Sequence, residues 1–432
     1  MISLGIDIGT TAICGIATDI ESGNTLKTIS ASSGSFLESK NAYERCQDAD
    51  HLLTVAKSIL DGLIDEFGAS VSSIGITGQM HGILYFDEKG SPVSPLYSWQ
   101  DKRGDLPYGS ASYAKHLGSF TGYGNVTDFF NRENGLVPQN AVGYSTVYDF
   151  FAMSICSLPR PLIHQSSAAS LGLFDLKSKS FNYPYKDKIA DDDKIIGCYR
   201  GIPVAVAIGD NQASVLGSAS FGDVIINVGT GSQVSVITEK NGKSAEGIEL
   251  RPYVCGKYLA VGAALCGGRA YATLAGFYKR VLEHAGAEYE NIYALMDEML
   301  SGIEKTTVKF DTRLDGTRAN PEVRGSISNI SSTSLTPENL TLATLYGMAE
   351  ELHKLYEANG EKRFSAVGCG GGIRKNARLK RVIEDLFGIE LKIPLCKEEA
   401  AFGASLYAAV ASGSIKSFDE AAKLIHYENS PD

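Results

Sequence analysis

Tryptophan occurs once in this sequence and histidine seven times, and none of the eight cysteines stands in a CxxC pair. The missing pair argues against a thioredoxin-type redox motif and a zinc site. No apolar run reaches the ~18 residues that a membrane helix needs. Basic residues are outnumbered, 40 Lys and Arg against 50 Asp and Glu, for a net charge of −10. An acidic surface argues against nucleic acid and membranes as partners. Anionic ligands stay open, because backbone amides hold phosphate without net positive charge. The opening run, Met1-Ile2-Ser3-Leu4-Gly5-Ile6-Asp7, has no basic stretch and does not read as an export signal. A reduced cytoplasmic setting is expected, with Cys266 and Cys369 as small packing residues.

What is abundant is glycine, 46 residues against 13 prolines in a chain of 432. The length gives a prior of two or three domains of ~150 residues. With 44% hydrophobic and 21% charged residues, the chain has the composition of a globular protein. The glycines cluster after apolar runs. Residues 2–8 read as a strand, Gly9-Thr10-Thr11 as a tight turn, and 12–20 as a second strand. The pattern recurs at 224–228, Gly229-Thr230-Gly231-Ser232 and 233–238, with a closing turn at 239–243. Asp7-Ile8-Gly9-Thr10 and Asn227-Val228-Gly229-Thr230 are one four-residue pattern used twice. A repeat of this kind suggests two lobes of related fold that meet near residues 217–222. Between the hairpins, helical spacing at 48–67 alternates with strands at 73–78, 83–87 and 203–208, and a helix is expected from Gln212. Later, Gly267-Gly268 opens a helix, Thr336-Pro337 caps another, and helices are expected at 375–387 and 398–412. The class is α/β.

Three glycine turns, at 9–11, 229–232 and 368–372, each follow a strand. Neither a P-loop lysine nor a GxGxxG survives a position check. One such turn alone is an ordinary hairpin; three with neighbouring hydroxyls or Asn point to phosphate contact. Asp7 ends its strand beside the first turn. It is either a turn cap or a water-mediated Mg²⁺ partner, because a bare carboxylate would repel phosphate. Asp210, in Gly209-Asp210-Asn211, ends an apolar strand, where α/β proteins place chemistry. A capping role does not explain the Asn and the small residues that follow. Gly78-Gln79-Met80-His81-Gly82 and Trp99-Gln100-Asp101-Lys102-Arg103 offer amide, imidazole, indole and charged groups suited to a polar small molecule.

In order along nearly the whole chain, these motifs resemble the FGGY carbohydrate kinases of the actin/Hsp70/sugar-kinase superfamily. Gly370-Gly371-Gly372 with Asn376 and Ala400-Ala401-Phe402-Gly403-Ala404 complete the ordered set. The resemblance implies a two-lobed fold with a duplicated ribonuclease H-like domain. Residues 1–217 would bind sugar and carry the first phosphate hairpin; 218–432 would carry the second hairpin and the adenosine site. It implies ATP and Mg²⁺ as cofactors, with Asp210 as the base and Asp7 as the catalytic, Mg²⁺-linked acid. Gln79, Met80, His81, Trp99, Asp101, Arg103 and Asn211 would line the sugar. Gly9, Thr10, Thr11, Gly229, Thr230, Gly231, Gly267, Gly268, Gly371, Gly372 and Asn376 would hold ATP.

Within the family, Gly-Gln-Met-His-Gly is similar to xylulokinases and sedoheptulokinases, and the Gln at position 100 is closer to the latter. The resemblance therefore implies phosphorylation of a primary hydroxyl of sedoheptulose, with xylulose or another ketose or polyol as the alternative. A sugar-independent ATPase like actin or Hsp70 is the alternative of another class. Partners would be the sugar and ATP only, and the protein a monomer or homodimer. One departure is that Ala12-Ile13-Cys14 lacks the basic residue that often follows the first hairpin's second Thr.

Overall fold

The computed structural model describes residues 1–190, 193–240, 245–287, 289–317, 320 and 322–428. Residues 241–243 of the turn expected after the second hairpin lie outside them. The chain divides into two compact units, neither contiguous in sequence. The first comprises Met1–Ser220, Arg251–Tyr258 and Leu395–His426; the second Phe221–Leu250, Leu259–Pro394 and Tyr427–Asp432. The first unit's opening segment ends at Ser220, and Arg251–Tyr258 and Leu395–His426 group with it.

The first unit is built on a mixed sheet in the order Ile195–Tyr199, Ile202–Ala205, Val71–Gly78, Ile2–Ile8, Ala12–Asp19, Thr25–Ser32. Ile2–Ile8 runs antiparallel to Ala12–Asp19 and parallel to Val71–Gly78. The second unit repeats this arrangement. Asp223–Val228 runs antiparallel to Ser232–Thr238 and parallel to Ser365–Cys369. Both units therefore follow the duplicated α/β plan.

The strand Ile2–Ile8 is buried at six of its seven residues because both faces are covered, with Ile2, Leu4, Ile6 and Ile8 alternating with Ser3, Gly5 and Asp7. On one face lies Ala49–Phe67, capped by Asp48 and burying Leu52, Ala56, Ile59, Leu60 and Leu63. The helix Glu399–Ala411 also packs on this sheet and buries nine residues in unbroken succession from Ala401 to Ala409. A Cβ at Gly5 would sit 1.8 Å from the Ala401 carbonyl oxygen, and one at Gly75 1.8 Å from that of Ala404. The same helix meets Asp210–Leu216 equally closely, with a Cβ at Gly403 falling 1.8 Å from the Ala213 carbonyl oxygen. Hydroxyls complete the joint: Ser3 donates to the Ser405 carbonyl at 2.7 Å, and Thr18 and Ser405 share a hydrogen bond at 2.8 Å.

Several elements differ from the sequence reading. The strand expected at 203–208 is two, Ile202–Ala205 and Ile208–Gly209, and each pairs with a different part of Val71–Gly78. The helix expected at 375–387 begins earlier and breaks: Gly370–Lys375 ends at Asn376, whose side chain caps Ala377–Phe387. Thr336 and Pro337 start their helix as expected. Among the described residues, no helix is long and apolar enough to cross a membrane.

Overpacking a well-filled contact costs about 1–3 kcal/mol. Gly403→Ala, whose methyl meets backbone rather than a movable side chain, should lower stability by at least that amount. Urea unfolding should show a lower midpoint with an unchanged slope; an unshifted midpoint would contradict the close approach.

Candidate active site

Three strands end side by side in the first unit. Along Val71–Gly78, Thr77 pairs with Asp7 on one side and Ile208 on the other, and Gly78 with Ile8 and Gly209. Asp7, the 79–82 loop and Asp210 thus gather at the carboxyl ends of parallel strands, where open α/β sheets bind ligands. Gly209 permits the gathering, since a Cβ there would fall 2.7 Å from the Met80 sulfur.

Asp210 is itself the first residue of the helix Asp210–Leu216, two positions earlier than the sequence suggested, with Gly209 as N-cap. Burial pushes its carboxyl up to about 6, against the pull of the Asn211 backbone N–H and the Arg251 guanidinium. Arg251 is buried and donates to Asn211 Oδ1 at 3.2 Å. Asp7 is more perturbed. Its Oδ1 is buried without a hydrogen-bond partner, and burial, then Asp210, then Glu398 raise its carboxyl to about 8. An uncompensated carboxylate beside two others fits a cation. Among the described residues no group of three His, Cys, Asp or Glu side chains could hold a metal directly. A hydrated ion bound through water is the arrangement these residues suit.

The sugar-side candidates separate into two sets. Thr10, Gln79 and Gln47 close a ring: Thr10 Oγ1 donates to Gln79 Oε1 (3.2 Å), Gln79 Nε2 to Gln47 Oε1 (2.9 Å), and Gln47 Nε2 to the Thr10 carbonyl (2.9 Å). Trp99 Nε1 donates to Thr10 Oγ1 at 3.0 Å while the residue stays 46% exposed. His81, at φ +75°, is held through Nδ1 at 2.8 Å from the Ser170 carbonyl and stacks on Tyr123. Asp101 and Arg103 differ. They are buried and paired bidentately at 2.7 and 3.0 Å, and Asp101 also accepts from the backbone N–H of Arg45 and Arg103. Arg103 further donates to Asn131 and lies over the Tyr97 ring. With these groups satisfied by one another, the pair anchors the segment that carries Trp99.

In the second unit, Gly229, Thr230 and Gly231 are exposed at the end of Asp223–Val228. The helix Gly267–His284 starts against this turn: the Gly268 N–H donates to the Gly229 carbonyl (2.9 Å) and the Arg269 N–H to that of Thr230 (3.0 Å). Gly370, at φ +84°, and Gly372 press on Val228, while Gly371 has open space where a Cβ would be. Asn376 Oδ1 accepts the Leu379 N–H as a helix cap.

Solved sugar-kinase structures share this fold. The xylulose kinase of Lactobacillus acidophilus superposes with a TM-score of 0.83 at 16% identity, covering 99% of this chain and 93% of that one. That of Rhodospirillum rubrum gives 0.83 at 19% identity, with 100% and 94% covered. Residues 2–107 match the N-terminal domain, and residues 224–412 the C-terminal domain, of the FGGY family of carbohydrate kinases, and the chain belongs to this family. It is an ATP-dependent sugar phosphotransferase, which decides against the sugar-independent ATPase reading. Among curated relatives, it is 29% identical to sedoheptulokinase of Mus musculus, covering 94% of this chain and 96% of the relative. The human sedoheptulokinase is 28% identical with the same coverage. A xylulose kinase of Staphylococcus epidermidis is 23% identical over 96% of this chain and 89% of that one.

Four neighbours escaped the sequence reading as site residues: Gln47, Arg251, Glu398 and Tyr123. The charge of Asp210 carries a pH signature. With a carboxyl raised from 3.8 to about 6, its contribution to stability is present below pH 3.8 and lost as pH rises through 6. Asp210→Asn should therefore melt at a higher temperature than the parent at pH 8, with the gap closing toward pH 4. A variant less stable at pH 8 would contradict this burial of charge.

Proposed function

We propose that the protein phosphorylates a primary hydroxyl of sedoheptulose, with D-xylulose or another ketose or polyol as the second choice. The observation that carries the kinase site is the half-buried Asp210, which opens its helix where the strand Ile208–Gly209 ends beside Met80 and Gln79. The sugar rests on the sedoheptulokinase relatives and on Gln100.

Phosphoryl transfer needs positioning and charge neutralisation more than covalent chemistry. Asp210 takes the proton of the attacking hydroxyl. A base with a carboxyl near 6 is ionised at neutral pH yet more basic than a free aspartate. Gln79 and His81 offer hydrogen-bonding groups to the sugar, Asn211 and Arg251 position the base, and Trp99 covers a carbon face. The amides of Gly9–Thr11 and Gly229–Gly231 take phosphate oxygens, and Gly371, Gly372 and Asn376 the adenosine. Asp7 would hold Mg²⁺ through water, where the ion supplies neutralisation of phosphate charge.

Asp210→Asn should cut sugar-dependent ADP release by ~10²–10⁴-fold. Near-parental turnover would remove Asp210 from the role. In the parent, kcat/KM should rise with pH through about 6 as the base ionises. A ketose and polyol screen should rank sedoheptulose above D-xylulose and both far above glycerol, which leaves hydrogen-bonding groups unpaired. Clear preference for D-xylulose would overturn the sugar assignment and leave the kinase intact. Asp7→Asn should raise the Mg²⁺ concentration for half-maximal activity more than the KM for sugar; the reverse order would separate Asp7 from the ion.

A further inference from the structure

We infer that Phe120 and Tyr123 extend the sugar site into an aromatic wall that reads the length of the ketose, favouring a seven-carbon over a five-carbon chain. The inference rests on the ketose kinase reading above.

The wall starts at Trp99, which is tied to Thr10 and is 46% exposed. The 119–124 segment lies directly against it. Gly122, at φ +80°, approaches so closely that a Cβ would fall 2.1 Å from the Trp99 carbonyl oxygen. Gly124 abuts the other side of the site, where a Cβ would meet the His81 carbonyl oxygen at 3.2 Å. Between these glycines, Tyr123 stacks on His81 with ring centres 4.2 Å apart and planes 12° from parallel. Phe120 leans on Tyr123 at 5.5 Å and is 53% exposed. Aromatic groups thus run from the first glycine turn to His81.

Two features connect the wall to a ligand. His81 holds a left-handed backbone conformation, uncommon for a residue with a side chain, while its ring is fixed between Tyr123 and the Ser170 carbonyl. Phe120 exposes an apolar ring beside Tyr123 instead of joining the buried Tyr113, Val126 and Phe130 cluster. The carbon face of a sugar is its apolar face, and aromatic rings cover it well. The polar groups near Asp210 are enough to engage the carbons next to the reacting hydroxyl. Two further carbons extend past them, each bearing a hydroxyl on one side and presenting a C–H face that an aromatic ring can cover. A single methylene in an apolar pocket changes specificity ~10–200-fold.

Trp99 is the only tryptophan, so its emission reports sugar binding without ATP or turnover. The test titrates sedoheptulose and D-xylulose against the parent, Phe120→Ala and Phe120→Leu, with sugar-dependent ADP release measured in parallel. Phe120→Ala should raise the dissociation constant for sedoheptulose about ten-fold and that for D-xylulose less than two-fold. Phe120→Leu, which keeps apolar bulk, should recover most of the loss. Equal shifts for both sugars, no shift, or an emission that neither sugar moves in the parent would overturn the wall. Failure of the kinase reading shows separately, as absent sugar-dependent ADP release by the parent. Because Phe120 is exposed on a loop, the variants should melt with the parent, and a matching melting temperature confirms that binding is what changed.

Discussion

The first unit depends on backbone touching backbone. The helix Glu399–Ala411 lies so near the sheet and the helix Asp210–Leu216 that Gly5, Gly75, Gly217 and Gly403 each leave no room for a methyl group. Side-chain packing tolerates adjustment because rotamers can shift; carbonyl oxygens in a strand or helix cannot move without moving the element. Gly5 and Gly75 lie in the two strands that deliver Asp7 and Gln79, and the Ala213 carbonyl that Gly403 meets lies one turn after Asp210. Placement of these two carboxylates is therefore a consequence of helix–sheet distance. This gives the Ala400–Ala404 run a physical meaning: small residues set the spacing of the elements that carry Asp7 and Asp210.

That rigidity makes an electrostatic cost sustainable. Two carboxylates share the site, both raised by burial, and Glu398 adds a third charge near Asp7. Among the causes acting on Asp210, the one positive side chain is Arg251, which also binds Asn211. A loosely packed site would relieve this repulsion by moving the groups apart or admitting water. Here the strand ends fix them, so the relief must come from a proton or a cation. At Asp210 the ionised carboxylate that the proposed base role requires is also the form that burial disfavours, so activity and stability would pull against each other there.

Much of this was legible in the sequence because the informative features are local. A glycine turn after an apolar strand, a carboxylate at a strand end and a Thr-Pro helix start are written in adjacent residues, and the positions of Asp7, Asp210 and Thr336 in the fold are readable that way. The helix at Asp210 was placed two residues late because its N-cap is Gly209, which lacks the usual hydroxyl or carboxylate signal. The 203–208 run concealed a break because both strands are apolar and only their separate pairings with Val71–Gly78 distinguish them. The pairing of Asp101 with Arg103 was not legible, because a sequence does not record that two charges two residues apart neutralise each other. Gln47, Tyr123, Arg251 and Glu398 come from distant segments, and only folding brings them to the site.

The ring of Thr10, Gln79 and Gln47 has a further consequence for how the two ends of the site communicate. A threonine hydroxyl has one proton, and Thr10 spends it on Gln79 Oε1 while accepting from Trp99. A phosphate oxygen can claim that proton only by releasing Gln79. Gln79 Oε1 would then be an unpaired acceptor in a buried position, which costs about 1–3 kcal/mol unless a new donor arrives. A sugar hydroxyl is such a donor. With phosphate at the first glycine turn and sugar at the 79–82 loop, as proposed above, one exchangeable hydrogen bond links the two, and neither ligand's contacts with this unit would be independent of the other's.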